Sequence, residues 1–271
     1  MPELPEVETT RRGVAPALEG GRIARVRVRE RRLRWPLPPG FEAELEGRRI
    51  LSVGRRGKYL LIGTDGGTLL LHLGMSGSLR IVDAAALPGP HDHVDVVLRS
   101  GRCARFNDPR RFGSLHLVRG DPLAHPLLRA LGPEPLTCAF DAAYLHARTR
   151  RRRVAVKQLL MNSAIVVGVG NIYASEALFH AGVAPGRAAG RLSRAATARI
   201  VAAVKRVLRA AIRAGGTTLR DYVNADGDPG YFRQKLYVYE RAGEPCRRCG
   251  TPIRQRTQGQ RSTYWCPTCQ R

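Results

Sequence analysis

The chain closes on Cys246-Arg-Arg-Cys249, sixteen further residues, and Cys266-Pro-Thr-Cys269. This doubled C-x2-C spacing is the one four-cysteine zinc sites use, so it fixes both a metal and a small module. Between the pairs lie Arg254, Arg256 and Arg261 with Thr257, Gln258, Gln260 and Ser262. That polar, cationic finger suits phosphate rather than a protein core. The alternative, a redox pair of C-x-x-C motifs, is disfavoured because neither pair sits in a strand-to-helix turn and the two fit metal spacing together. The carboxy terminus is expected to be a nucleic-acid-binding zinc ribbon holding one structural zinc through Cys246, Cys249, Cys266 and Cys269.

The rest of the chain shares the charge. A net charge of +24 on 271 residues points to a polyanionic partner, and 43% hydrophobic residues suffice for a real core and exclude disorder. Only Lys58, Lys157, Lys205 and Lys235 among the 46 basic residues are lysine. A GC-rich genome accounts for arginine over lysine, but not for the excess of base over acid. No run approaches the roughly 18 apolar residues of a membrane span. The first residues, Met1-Pro-Glu-Leu-Pro-Glu6, lack the basic and apolar regions of a signal peptide. A cytoplasmic protein with no membrane partner is expected, with Cys103 and Cys138 as reduced, buried thiols of no assigned role.

Short apolar runs punctuated by glycine fill the first half: Ile23-Val28, Ile50-Val53, Tyr59-Ile62, Thr68-Leu73, Leu79-Val82, His93-Leu98 and Leu115-Val118. They predict a sandwich or barrel, preceded by a helix from Glu6 to Leu18. After the stop signal Leu131-Gly-Pro-Glu-Pro135 the pattern turns helical, over Tyr144 to Gln158, Ile172 to Ala181 and Ser193 to Ala214. Gly215-Gly216 ends the last helix, and Asn224 to Tyr231 reads as a mobile loop. The expectation is an α+β multidomain protein: a β-sandwich domain over 1–133, a helical domain over 134–225, a loop and linker over 226–240 and the ribbon over 241–271.

The amino terminus reads as a reagent. Pro2 follows the initiator methionine, whose removal would leave a secondary amine. Such an amine condenses with a sugar aldehyde to a permanently cationic iminium, an electron sink that needs no protonation. Glu3 stands beside it as a general acid and base. Pro5 and Glu6 mark the start of a helix whose dipole disfavours the protonated amine. On the hexapeptide alone, ordinary first-turn helix residues explain the pattern equally well.

Pro2-Glu-Leu-Pro-Glu-Val-Glu-Thr9 resembles the amino terminus of bacterial formamidopyrimidine-DNA glycosylases, base-excision enzymes for oxidised purines. The match continues through Gly57-Lys58-Tyr59, His72-Leu-Gly-Met-Ser-Gly77, His91-Asp-His93, Asp108-Pro-Arg-Arg-Phe-Gly113, Val167-Gly-Val-Gly-Asn-Ile-Tyr173, Gly215-Gly-Thr-Thr218 and the ribbon. The resemblance implies that Pro2 attacks C1′ of the damaged nucleotide and displaces the base. It implies that Glu3 protonates the opened sugar and that Lys58 is a general acid and phosphate contact. Elimination of the 3′ and then the 5′ phosphate leaves a one-nucleotide gap. Arg261 matches the residue of the second elimination, and physically it is a phosphate clamp.

A glycosylase must extrude its target base and plug the hole. Met75, Arg110 and Phe112 match the family's plug: Phe112 can wedge between bases, Met75 can fill an irregular void, and Arg110 can hydrogen-bond the orphaned base. By spacing alone Met75 and Phe112 would be core residues, but Gly74 and Gly77 place Met75 in a loop. His72 falls within a family motif, and His91 and Arg152 match positions the family uses on DNA. Val167-Gly-Val-Gly-Asn171 fails as a dinucleotide fingerprint because Tyr173 stands at the third glycine. Instead it feeds a helix whose amides and Asn171 side chain would anchor a phosphate, within what the resemblance makes a helix-two-turn-helix element. His72, His91 and His93 lack a completing carboxylate or cysteine, so no catalytic metal is expected.

Asn162 stands where an aspartate is expected, and the basic cluster Arg150 to Arg153 is arginine where relatives often carry lysine. Lesion choice is expected in the Thr217 to Tyr231 loop. The expected partner is duplex DNA bearing 8-oxoguanine or formamidopyrimidines, bound by a monomer. Two other readings compete, the sister endonuclease VIII for oxidised pyrimidines and a non-catalytic DNA-binding zinc protein. Leu4, Met75 and Arg110-Arg-Phe112 favour the purine enzyme over the first. Pro2 beside Glu3, with Lys58, speaks against the second.

Overall fold

A computed structural model describes residues 2–216 and 236–271, so the Thr217 to Tyr231 loop, with its Asn224 to Tyr231 segment, lies outside the described residues. The described chain forms two compact units, one of residues 2–129 with 214–216 and one of residues 130–213 with 236–271.

The first unit opens with helix α1 (Leu4–Leu18), which begins two residues before the expected Glu6 because Glu3 caps it and Pro5 fits its first turn. Eight strands follow in two antiparallel sheets. One has the order β1 (Ile23–Val28), β6 (Asp92–Leu98), β7 (Arg102–Asn107), β5 (Ser78–Asp83), and the other the order β2 (Ile50–Arg56), β3 (Tyr59–Thr64), β4 (Gly67–His72), β8 (Ser114–Val118). A short helix α2 (Phe41–Leu45) joins β1 to β2. Val26, Leu60, Ile62, Leu69, Leu71, Val94, Val96, Phe106 and Leu115 are buried in one core, so the expected sandwich or barrel is a sandwich.

Strand β7 escaped the sequence reading because Arg102, Arg105 and Asn107 interrupt its apolar run. Arg105 is only 3% exposed. Its charge is met by Asp95, which accepts from Nε at 2.9 Å and Nη2 at 3.0 Å and also from Arg29 at 2.6 Å. A buried fork of this kind is tolerated because both oxygens are satisfied.

In the second unit the expected helix from Tyr144 to Gln158 is two helices, α3 (Ala142–Thr149) and α4 (Val156–Met161). Arg151 between them has φ 57°. The intervening backbone pairs with residues 187–190 instead: Val156 N–H donates to Arg187 at 2.8 Å, Ala189 to Val154 at 2.9 Å and Gly190 to Arg152 at 2.8 Å. Tertiary pairing outweighs helix propensity there, aided by repulsion among four successive guanidinium groups. Helix α5 (Asn171–Ala181) begins after Gly170 and is buried over nearly its whole length, ending on Gly182 at φ 70°. The amphipathic helix α6 (Arg194–Arg213) buries Ile200, Val204, Val207, Leu208 and Ala211. The ribbon contributes a hairpin, β9 (Arg254–Gln258) and β10 (Arg261–Trp265). Cys103 is buried on β7 as expected, but Cys138 is exposed, because it falls in the turns that precede α3 rather than on a core-facing element. Among the described residues no helix is long and apolar enough to cross a membrane.

Candidate catalytic and nucleic-acid-binding sites

Pro2 is buried and Glu3 is 2% exposed at the cap of α1. The Glu6 carboxylate accepts from the Glu3 amide at 2.8 Å, half of a reciprocal capping box. The nucleophile candidate and the carboxyl beside it are thus fixed at a helix N-terminus. Sequence reasoning treated Glu6 only as a helix-start residue, although glutamates three apart carried the signal. Gly216, at φ 84°, approaches the same carboxylate closely: a β-carbon there would lie 3.1 Å from Glu6 Oε1.

Lys58 sits at the tip of the β2–β3 hairpin, whose strands pair through Arg56 and Tyr59. Gly57 has φ 59° and Lys58 is not left-handed, the pattern of a type II′ turn. Register β3–β4 sets Tyr59 opposite His72, with ring centroids 4.7 Å apart. Burial, then the positive charges of Lys58 and Arg34, push the His72 pKa down to about 4. Its Nδ1 accepts from the Gly74 amide at 3.0 Å. At neutral pH His72 is therefore an uncharged imidazole carrying its proton on Nε2.

Two loops bring Met75, Arg110 and Phe112 together. Gly74, at φ 67°, packs so closely that a β-carbon would lie 2.4 Å from Gly113 N and 2.5 Å from the Phe112 carbonyl carbon. Asp108, fully buried, ties both loops: it accepts from Gly113 N at 2.7 Å, Arg110 N at 3.3 Å and Ser76 Oγ at 3.3 Å. The Arg110 guanidinium lies 4.9 Å from the Phe112 ring centroid, and Phe112 is 43% exposed. An exposed phenylalanine stacked under arginine and backed by a braced loop suits insertion between bases. Sequence reasoning missed Asp108 as the brace. His91 and His93 lie edge to face with ring centroids 6.3 Å apart, but His93 Nε2 is engaged by the Asp108 carbonyl at 2.8 Å, and His91 is exposed at φ 69°.

In the second unit Asn171 opens α5, its Nδ2 donating to Tyr239 Oη at 3.5 Å. Arg152 is exposed, with Nε donating to the Arg148 carbonyl at 3.1 Å. Asn162 ends α4 and its Oδ1 accepts from Ala164 N at 2.9 Å, a turn an aspartate would make equally well. Glu176, 1% exposed, accepts the amides of Tyr237, Val238 and Tyr239, each at 2.9 Å, and so moors the chain entering the ribbon.

Gly259 and Gln260, both at positive φ, make a type I′ turn that presents the exposed Arg261 at the hairpin tip. The four cysteine sulfurs lie within 4.8 Å of one another, with separations of 3.5 Å for Cys249–Cys266 and Cys249–Cys269 and 4.0 Å for Cys246–Cys269. Tetrahedral zinc with bonds of about 2.3 Å requires sulfurs about 3.8 Å apart, so the set fits one structural zinc. Among the described residues it is the one group of three or more potential ligands.

Three family models match the chain: "Formamidopyrimidine-DNA glycosylase N-terminal domain" over 1–115, "Formamidopyrimidine-DNA glycosylase H2TH domain" over 131–223 and "Zinc finger found in FPG and IleRS" over 243–271. Formamidopyrimidine-DNA glycosylase of Alkalilimnicola ehrlichii is 59% identical over 277 aligned residues, and that of Thioalkalivibrio sulfidiphilus is 60% identical over 271. Each alignment covers 100% of both chains. The crystal structure of MutM (FPG) from Thermus thermophilus superposes at TM-score 0.88 with 44% identity, covering 99% of this chain and 98% of that one. A complex of Lactococcus lactis Fpg with abasic-site DNA superposes at TM-score 0.91 with 32% identity, covering 99% of each chain.

Proposed function

This chain belongs to the formamidopyrimidine-DNA glycosylase family, and from that premise we propose that it is a bifunctional base-excision repair enzyme acting on oxidised purines in duplex DNA. Once Met1 is removed, the Pro2 nitrogen attacks C1′ of the flipped nucleotide. The glycosidic bond breaks, the base leaves with the bonding pair and takes up a proton, the attacking nitrogen loses its own proton, and its lone pair then expels the ring oxygen from C1′, opening the sugar to the iminium. Glu3 supplies the proton to that oxygen. Loss of a C2′ proton then expels the 3′ phosphate, and a second elimination expels the 5′ phosphate.

The other residues divide positioning from charge. Lys58 acts as general acid and phosphate contact, and His72 offers a neutral N–H donor beside it. Met75, Arg110 and Phe112 fill the vacated stack, while His91, Arg152, Asn171 and Arg261 hold the phosphate backbone. Zinc, when bound, supplies no chemistry; the four thiolates and the ion hold the hairpin that carries Arg261. The work divides among a sandwich domain over 1–133, a helix-two-turn-helix domain over 134–225, a lesion loop and linker over 226–240 and the ribbon over 241–271. The enzyme acts as a cytoplasmic monomer.

The observation that carries this reading is the burial of Pro2 and Glu3 together at the cap of α1. A helix N-terminus repels an ammonium and favours the free amine, and the Glu3 carboxyl stands beside it to pass a proton. The test is borohydride trapping on duplexes with 8-oxoguanine opposite cytosine or thymine glycol opposite adenine. A covalent adduct at Pro2 on the first duplex is expected. Trapping that survives blockage of Pro2, or that occurs only with thymine glycol, refutes the reading.

A further inference from the structure

The turn that carries Lys58 is held from the helix that carries Pro2. Types I′ and II′ of a two-residue turn differ by rotation of the central peptide, here the Gly57–Lys58 peptide. Its oxygen, the Gly57 carbonyl, accepts from Arg55 Nη1 at 2.7 Å. Arg55 in turn donates from Nε to Glu8 Oε2 at 3.2 Å. Glu8 lies on α1 and is gripped by Arg11 at 3.1 and 2.9 Å and by Arg12 at 2.8 Å. A second tie runs from Arg11 Nη1 to the Val53 carbonyl of β2 at 3.3 Å.

Both members of the Glu8–Arg55 pair are 12% exposed. Desolvation opposes ionisation of Glu8, but the surrounding guanidinium groups outweigh it and hold its pKa down to about 2, so the pair is ionised and constrains geometry. The guanidinium is planar and reaches the carboxylate with one edge and the carbonyl with another. It therefore fixes the peptide plane, and with it the direction in which the Lys58 side chain leaves the turn.

We propose that Glu8 and Arg55 are positioning residues that set the Lys58 ammonium relative to the reactive end of α1. This rests on the roles given above to Pro2 and Lys58. The test is single-turnover excision from an 8-oxoguanine:cytosine duplex by the full-length, zinc-loaded protein as wild type, Glu8→Gln, Lys58→Ala and the double variant. Glu8→Gln is expected to slow excision roughly tenfold, in line with the cost of a small misplacement of a reacting group. In the Lys58→Ala background it is expected to cost almost nothing further, because the group it positions is gone.

Arg55→Lys keeps the charge but cannot bond Glu8 and the Gly57 carbonyl at once, so the same slowing and the same non-additivity are expected. It also serves if Glu8→Gln does not fold. A wild-type rate in either folded variant, or losses that add fully to that of Lys58→Ala, overturns the proposal while leaving the role of Lys58 intact. A wild-type rate in Lys58→Ala alone overturns the role of Lys58, and this inference with it.

Discussion

Lys157 on α4 donates from Nζ to the Ser262 carbonyl at 2.9 Å and to the Thr263 hydroxyl at 2.8 Å, joining a helix to the zinc hairpin more than a hundred residues later. The side chain is 1% exposed. A buried ammonium persists only with such partners, so the bonds define where the hairpin rests. Lys157→Met keeps the length of the side chain and leaves the Ser262 carbonyl unpaired. It is expected to lower the unfolding free energy by about 1–3 kcal/mol and to speed zinc release to a chromogenic chelator. Unchanged melting and zinc-release kinetics would contradict this account.

Removing zinc from the four cysteines should unfold the ribbon, since the metal supplies much of the folding energy of a module this small. DNA affinity is expected to fall with it, because Arg261 loses its support. A fluorescence-anisotropy titration before and after chelation measures the change. Equal affinity for apo and holo protein would remove the clamp role from Arg261.

Gly74→Ala should displace the plug. The new methyl would meet Gly113 N at 2.4 Å, backbone rather than a yielding side chain, at a φ of 67° that alanine disfavours. A loss of about 2 kcal/mol or more is expected, with slower excision from intact duplex than from a lesion already unpaired. Equal slowing on both substrates would argue against a plug carried by Met75, Arg110 and Phe112.

Stability should fall on mild acidification. Burial pushes His72 and His180 from an ordinary pKa of 6.5 to about 4. The unfolded chain then takes up protons below about pH 6.5 that the folded chain refuses until about pH 4, so stability present above 6.5 is lost as pH falls through that window. Each group contributes at most roughly 3 kcal/mol, and less to the extent that solvent screens these partly exposed rings. Thermal melts between pH 7 and 4.5 should show the decline, and His72→Gln should flatten it. A slope unaltered by that substitution would mean that His72 is not buried as described.

A chain that retains Met1 should bind lesion DNA yet form no borohydride adduct. Its Pro2 nitrogen is an amide and has no lone pair to give. Mass spectrometry of the intact protein, set beside trapping yield, tests this directly. Adduct formation in proportion to the Met1-bearing fraction would refute Pro2 as nucleophile.

The cysteine spacing, the glycine-punctuated strands and the helix caps are local signals, and each was legible because the chemistry that imposes it acts within a few residues. The ribbon's cysteine set and the starts of α1 and α5 could be read to within a residue or two, and the first half as a sandwich or barrel whose β2 run ended three residues early. Strand β7 could not, because Arg105 looks like a surface residue until Asp95 on the neighbouring strand meets it. The break between α3 and α4 was equally hidden, because backbone partners near Gly190 decide it. Lys157 was conspicuous only as one of four lysines, and Asp108 and Glu8 stood only as members of quoted motifs, with no role of their own. Which residue types could do the chemistry was written along the chain. Which carboxylate braces the plug, which ammonium seats the hairpin and which guanidinium orients the Lys58 turn were decided by tertiary structure, because burial makes each unpaired polar group costly enough to select its one available partner.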